Sequence, residues 1–302
     1  DLRGSPDGAA VAHATLAALA GDEMPVRGAG AAAGDPRWDE ILAPELLTAP
    51  LRALLAKTGA ALDKAYPLDL RNLRATALSP SSGDFARLVQ EVGSAFGLPA
   101  VEVYASPVLG SACLPGGSAP PTLVFGQALL ESGDGPARSC ILIRALTILK
   151  ARASALARTA PIDLGAVLGG LLAQFVPTFQ PQGVDPKKLG DARSRIQEHF
   201  ANFDEEAKSL AIEVSSSIGN RASQLATALN QWGNRTALLA AGDPLPVLRA
   251  LAISAGSPSG PPAAGPDRVR WIVRNAEARD LMIFSVSEQY SEARRRLGLG
   301  GA

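Results

Sequence analysis

Apolar residues recur at helical spacing along most of the chain. The clearest face lies within residues 45–62 and consists of Leu46, Leu47, Leu51, Leu54, Leu55 and Leu62. The same spacing predicts further helices over residues 9–20, 83–96, 162–176, 185–200, 203–217, 219–240, 243–255, 266–274 and 276–297. Residues 136–158 are apolar on nearly every side at their centre, which indicates a helix buried in the middle of the domain.

Strand signals are confined to one short region. Residues 101–105 alternate apolar and polar positions, and the apolar runs 108–114 and 122–125 follow, with a Pro-Gly-Gly turn between them. The prediction is a mostly α protein of the α+β class, a multi-helix domain with a small antiparallel sheet. β-branched runs are too short for a larger sheet.

The N-terminal part differs from the rest in composition. Residues 28–34 are only glycine and alanine, and because no strand precedes them they favour a flexible linker over a dinucleotide fingerprint. We therefore predict a separate N-terminal segment over residues 1–35 and a helical domain over residues 36–302. The chain begins at Asp1 without a leader pattern, so we expect a piece of a longer protein. Proline and glycine predict a surface loop over residues 256–266.

Composition narrows the function. The chain of 302 residues is 47% hydrophobic and 19% charged, so it buries a core. Its 29 basic residues balance its 29 acidic ones, which disfavours nucleic acid and acidic membrane surfaces as partners. The most apolar window, 162–179, is too short and too polar for a membrane span. Two cysteines and two histidines disfavour a disulfide framework and a histidine-rich metal centre, and they fit a reducing compartment.

One stretch carries a resemblance to a known family. Residues 112–117 read Ala-Cys-Leu-Pro-Gly-Gly, and Leu-Val-Phe at 123–125, Leu-Leu-Glu at 129–131 and the buried helix follow. This order resembles the core of M48-type zinc metallopeptidases, in which the buried helix carries H-E-x-x-H. The resemblance covers residues 101–240 and implies a gluzincin-like core.

The metal ligands of that family are missing. The motif falls on Ile143, Arg144 and Thr147, which offer neither imidazoles nor a catalytic carboxylate. The family's third ligand would match Asp204, with Lys208 in the place of its aspartate. We therefore expect no metal and no cofactor. A buried Arg144 should find a carboxylate, with Asp204 or Glu206 as candidates.

The acidic residues at this helix start have a simpler interpretation. Asn202 is suited to cap the helix, and Glu205 would complete a capping box. The carboxylates of residues 204–206 also favour the positive end of the helix dipole.

A second resemblance concerns the C-terminal half. Residues 234–244 and 278–287 resemble the end of large bacterial tetratricopeptide-repeat proteins, which finish in a metal-free peptidase-like domain. It implies that the N-terminal helix is the last element of a repeat array and that the protein is a cytoplasmic scaffold.

These observations lead to two functional hypotheses. The first is a non-catalytic protein-interaction domain that binds a protein partner along a sheet edge formed by Val101, Val103 and Ala105 or by Leu123, or in the cleft between that edge and the helix over residues 203–217. If the edge is not the binding site, the helical surface over residues 219–297 is the better candidate. The alternative is a hydrolase with an unrecognised site, based on Cys113 or a carboxylate. A nucleophile pair of Cys113 or Cys140 with His199 is disfavoured, because neither cysteine lies in a recognisable strand-to-helix context.

Overall fold

A four-stranded sheet lies against a larger set of helices in the computed structural model, which describes residues 6–22, 26–79, 83–200 and 203–299. The strands are β1 (Thr76–Leu78), β2 (Glu102–Ser106), β3 (Cys113–Ser118) and β4 (Pro121–Gly126). The first helices are α1 (Pro6–Ala20), α2 (Asp39–Leu42), α3 (Ala49–Ala65), α4 (Asp84–Ala95), α5 (Gln127–Leu130), α6 (Gly135–Lys150), α7 (Ser154–Arg158) and α8 (Pro161–Phe175). They continue as α9 (Pro186–Gln197), α10 (Glu205–Ser217), α11 (Leu225–Ala241), α12 (Pro244–Ser254), α13 (Gly265–Arg274), α14 (Ala276–Ser285) and α15 (Glu288–Arg296). The mostly helical α+β class is confirmed.

The sheet is mixed, so the prediction of an antiparallel sheet is wrong. Its strand order is β1-β2-β4-β3, and β2 runs parallel to β4 with Val103 opposite Leu123. The chain leaves β2, forms turns and bends over residues 107–112 where a strand was expected, and reaches the far edge as β3. It then returns as β4 between β3 and β2, which makes β4 parallel to β2 and antiparallel to β3.

The strand segments predicted to form a partner-binding edge lie inside the sheet. β2 pairs with both β1 and β4, and β4 pairs with both β2 and β3. Val103, Ala105 and Leu123 are buried, and Val101 is a buried residue just before β2. The prediction of an edge at these residues is therefore wrong. β1 and β3 form the edges, and β1 gave no sequence signal because it has three residues and faces largely outward.

The core is built around α6, as the sequence predicts. This helix packs against α11, α12 and β3, and almost its whole length is buried. Gly233 permits the close approach of α11, because a Cβ at this position would lie 2.7 Å from Cγ of Arg144. The helix is shorter than predicted, because Arg152 adopts a positive φ of 51° and separates α7 from α6.

The N-terminal segment packs on the C-terminal helices. α1 contacts α12, α13 and α14. A Cβ on Gly28 would lie 2.1 Å from the Ala240 carbonyl oxygen, and the Ala29 amide donates to Leu239 O at 2.9 Å. The expectation of a flexible linker is therefore wrong at 28–34, since the glycine at 28 serves a close approach between two backbones.

The C-terminal region departs from the prediction at one point. The helix expected over 276–297 is two helices, because the chain turns at Val286 and Ser287 caps α15 through a bond from the Tyr290 amide. The expected loop is present, and α13 begins at Gly265. Within the described ranges, no helix combines the length and apolar character needed to cross a membrane.

Candidate functional site

A small cavity lies beside Arg144, the one of the three motif positions that lines it. It has a volume of about 220 Å³ and is enclosed by residues of β3, α6, α7 and α11. Its polar lining includes Cys113, Arg144, Arg158 and Asn230, and its apolar lining includes Ile141 and Ile148. We call it the central cleft.

The two histidine positions of the motif carry side chains that only support the helix. Ile143 is buried, with 8% of its surface exposed. Thr147 is buried as well, and its hydroxyl donates to the Ile143 carbonyl oxygen at 2.9 Å. Neither side chain presents a lone pair that suits a transition metal.

Arg144, which the sequence resemblance aligns with a catalytic glutamate, pairs with a carboxylate. Its Nη2 lies 3.3 Å from Oε2 of Glu277, and both side chains are mostly buried. Glu277 also accepts from Asn234 Nδ2 at 3.0 Å and from Asn230 Nδ2 at 3.4 Å. The expectation of Asp204 or Glu206 as partner is wrong, because Glu277 in the first turn of α14 reaches Arg144.

The edge strand β3 is held by two side chains from neighbouring helices. Arg158 donates to the carbonyl oxygens of Pro115 and Gly116 at 2.5 and 2.6 Å, and to that of Tyr66 at 2.7 Å. Asp63 accepts from the amide and hydroxyl of Ser118 at 2.8 and 2.7 Å. These bonds occupy backbone groups that an added strand would need, so this edge is closed to strand addition.

We call Asp63 and Arg158, which hold β3, the β3 clamp. Burial shifts the pKa values of both groups. Desolvation raises the pKa of Asp63, although its bonds to Ser118 act against that shift. Desolvation also lowers the pKa of Arg158, against the attraction of Asp63. Asp63 accepts a further bond from the Ala155 amide at 3.0 Å. The two groups therefore join α3, α7 and β3 and have a structural role.

The thiols are in a poor environment for nucleophilic catalysis. Burial raises the pKa of Cys113, and it raises that of Cys140 to about 12. A thiol with such a pKa holds its proton at neutral pH and is a weak nucleophile. No histidine is among the described residues that line the central cleft, and His199 is exposed beyond α9.

The acidic start of α10 lies elsewhere in the fold. Asp204 caps the helix by accepting from the Ala207 amide at 2.8 Å, and Lys57 Nζ contacts Asp204 at 2.8 Å and Glu206 at 2.7 Å. The hydrogen bond from Lys57 is the main reason why the pKa of Asp204 is lowered. Lys208 lies 3.6 Å from Glu205 on the surface. The predicted cap, Asn202, lies outside the described residues.

α10 packs against α3 and α8, while Arg144 of α6 meets α14. The structure therefore assigns Asp204 and Arg144 to two separate ion pairs. In the described part of the chain, no group of three or more histidine, cysteine, aspartate or glutamate side chains is placed to hold a metal ion.

Three apolar side chains are exposed on the contacting helices α13 and α14. Val269, Val273 and Ile283 are 44, 56 and 64% exposed. Arg279 Nη1 donates to the Val273 carbonyl oxygen at 3.0 Å, which ties the two helices together beside these residues. We call this surface the α13–α14 face.

The charged residues that border this face are mainly basic, because its acidic side chains form ion pairs. Arg270, Arg274 and Arg279 are exposed on the two helices. Of the acids of α14, Glu277 pairs with Arg144, and Asp280 pairs with Arg235 at 2.9 Å. Asp267 pairs with Arg270. The exposed charge that remains beside the valines is therefore basic.

The sequence reasoning missed Glu277, Asp63 and Arg158. The available signal was a charged residue at an otherwise apolar helical position, as for Asp63 between Leu62 and Ala65 on α3. Such a residue is buried only when its hydrogen bonds are met. Its partners come from distant parts of the chain, so the pattern does not name them.

Comparisons of the chain with protein-family models, with curated proteins and with solved structures return no match.

Proposed function

We propose that this protein is a non-catalytic interaction domain, built on an inactive metallopeptidase-like core and acting as a scaffold. The observation that carries the proposal is how the side chains at the three motif positions are bonded. At the three motif positions, Ile143 and Thr147 are buried supports and Arg144 is bonded to Glu277. A permanent guanidinium charge at the base position repels a metal cation and cannot accept a proton.

The order of elements supports the family relationship. β2, the β3–β4 hairpin and the short α5 precede the buried α6, in the order that the sequence resemblance implies. The resemblance to the ends of tetratricopeptide-repeat proteins supports a cytoplasmic scaffold that forms part of a longer chain.

The partner surface in this proposal is the α13–α14 face. The β3 edge is bonded by Arg158 and Asp63, so strand addition is disfavoured there. The exposed valines and Ile283 offer an apolar stripe, and exposed apolar patches with a polar rim are typical of protein-binding surfaces. Because the rim is basic, the partner that fits is an acidic amphipathic helix of another protein.

Metal analysis tests the catalytic half of the proposal. Protein dialysed against a chelator and then against zinc should retain no stoichiometric zinc and should cleave no peptide. One equivalent of zinc per chain together with peptidase activity would contradict the proposal. Activity without zinc that is lost in Cys113→Ala would favour the hydrolase alternative.

Surface substitution tests the interaction half. The double variant Val273→Glu, Ile283→Glu adds negative charge to the face, and it should lose cross-linked partners that wild type captures in host extract. Ile162→Glu is the matched control, because Ile162 is 79% exposed on the distant α8. The captured segments should be acidic and helical in pattern. Equal capture by the double variant, or capture of basic segments, would contradict this surface.

A further inference from the structure

The central cleft is lined by polar groups that the protein uses only in part. The side chain of Arg144 makes one polar contact among the described residues, the 3.3 Å ion pair from Nη2 to Glu277. A guanidinium carries five N–H donors, so most of those of Arg144 are available although the side chain is only 21% exposed. The hydroxyl of Ser254, in the same lining, has no hydrogen-bond partner in the described parts of the chain.

The charge of the cleft favours an anion. Arg158 of α7 contributes a second guanidinium to the lining, and no carboxylate is among the described residues that line it. Glu277 contacts Arg144 from outside this lining, and it also accepts from Asn230 and Asn234. Because the planar guanidinium can donate from more than one edge, contact with Glu277 at one nitrogen leaves another edge for a second carboxylate.

The volume and walls of the cleft restrict the ligand to a small organic molecule. About 220 Å³ is several times the roughly 30 Å³ that one water molecule takes up in the liquid, and it lies below the range of about 300–1,000 Å³ typical of sites for drug-sized ligands. Ile141 and Ile148 of α6 and Leu114 of β3 supply apolar walls. A hydrocarbon chain would contact these walls, whereas an inorganic oxyanion would not.

We propose that the central cleft binds a short-chain carboxylic acid, ionised and of about two to four carbons. Its carboxylate accepts from the unused edge of Arg144 and from the hydroxyl of Ser254, and its hydrocarbon chain lies against Ile141 and Ile148. Such binding needs neither a metal nor a reaction. It therefore goes beyond the proposed interaction function and does not rest on it.

The largest of the other cavities is less suited to an anion. It has a volume of about 970 Å³ between α8 and α9 and is lined by charges of both signs, among them Lys188, Asp163 and Arg195. Lys188 contacts Asp163 at 2.6 Å, and Arg195 lies over the Tyr66 ring at 5.1 Å. Three aspartates in its lining oppose the binding of a carboxylate.

Ligand-observed NMR titration tests the proposal with propionate and butyrate as probes, on protein freed of metal by dialysis against a chelator. Wild type should bind both acids with dissociation constants on the order of 1 mM, because so small a ligand makes few contacts. Propionamide has the shape of propionate without its charge and should not bind. Sulfate, added at matched ionic strength, should not displace propionate.

Two substitutions in the cleft test where the acid binds. Arg144→Lys keeps the positive charge beside Glu277 but loses the planar fork, and it should weaken propionate binding by about tenfold or more. Ser254→Val removes the hydroxyl and fills part of the cleft, so it should weaken binding as well. Arg235→Lys is the matched control and should bind like wild type, because Arg235 forms a neighbouring ion pair with Asp280 of α14 and is not part of the lining.

Four results would overturn the proposal. They are no saturable binding of propionate by wild type up to about 50 mM, equal binding of propionamide and propionate, displacement of propionate by sulfate, and unchanged affinity in a cleft variant that keeps wild-type thermal stability. None of these results bears on zinc retention or on partner capture. Failure here therefore leaves the proposed function standing.

Discussion

The charged groups of the central cleft and those at the start of α10 differ in how far they are exposed to water. In the central cleft, Arg144 contacts Glu277, and Arg158 donates to three carbonyl oxygens from a partly buried position. At the start of α10, Lys57 contacts Asp204 and Glu206, whose side chains are 60 and 69% exposed. Loss of a buried donor leaves its acceptors without a partner, whereas water replaces the partner of an exposed group. Changes in the central cleft should therefore cost more stability than changes at the start of α10.

The largest expected effect comes from breaking the clamp on β3. Arg158→Met leaves the Pro115, Gly116 and Tyr66 carbonyl oxygens without their donor, and the free energy of unfolding should fall by about 3 kcal/mol. Denaturant unfolding measures this loss. Arg193→Met is the control and should change stability little, because that side chain is exposed. An equal loss in both variants would show that the clamp has no special role.

Removal of the Arg144–Glu277 ion pair should lower the free energy of unfolding by a smaller amount. Arg144→Met should lower the free energy of unfolding by about 2 kcal/mol, since Glu277 keeps its bonds from Asn230 and Asn234. Glu277→Gln in the Arg144→Met background should cost less than Glu277→Gln alone, with a coupling of about 1 kcal/mol in a double-mutant cycle. Additive losses would mean that the two side chains do not interact in solution.

The smallest change in stability is expected for Asp204, which is exposed at the start of α10. Because Lys57 lowers the pKa of Asp204 in the folded protein, its carboxylate contributes stability above its ordinary pKa of 3.8. That contribution is lost as the pH falls through the lowered value. Asp204→Asn keeps a good cap but loses the ion pair, so it should be slightly less stable than wild type near neutral pH. Unfolding curves of the two proteins should converge in acid, and a gap that widens in acid would contradict this sign.

Helix positions were predictable because they depend on local spacing. The segments that became α8, α10 and α12 were placed within a few residues, since proline or an acidic cap marks each start. The break at Arg152 was not predictable, because residues 151–153 are good helix formers and the turn there is imposed by packing. A Cβ on Gly59 of α3 would lie 2.0 Å from the Arg152 carbonyl oxygen.

The sheet and the cleft were less predictable, because both depend on contacts between distant segments. Alternation located β2 and β4, but it does not reveal that β4 inserts between β2 and β3. The cost of an unpaired charge predicted a carboxylate for Arg144, yet it did not distinguish Glu277 from Asp204. Sequence reasoning thus identified the need for a partner but not its position.

The docking of α1 has a consequence for synthesis of the chain. Val11 and Ala18 are buried, and the bond from Arg268 to Ala18 joins residues 250 positions apart. At a translation rate of roughly 5–20 residues per second, α1 leaves the ribosome on the order of tens of seconds before its binding surface exists. During that interval its apolar side is open to chaperones, and a chain truncated before α13 would keep the part that packs on α13 and α14 open permanently.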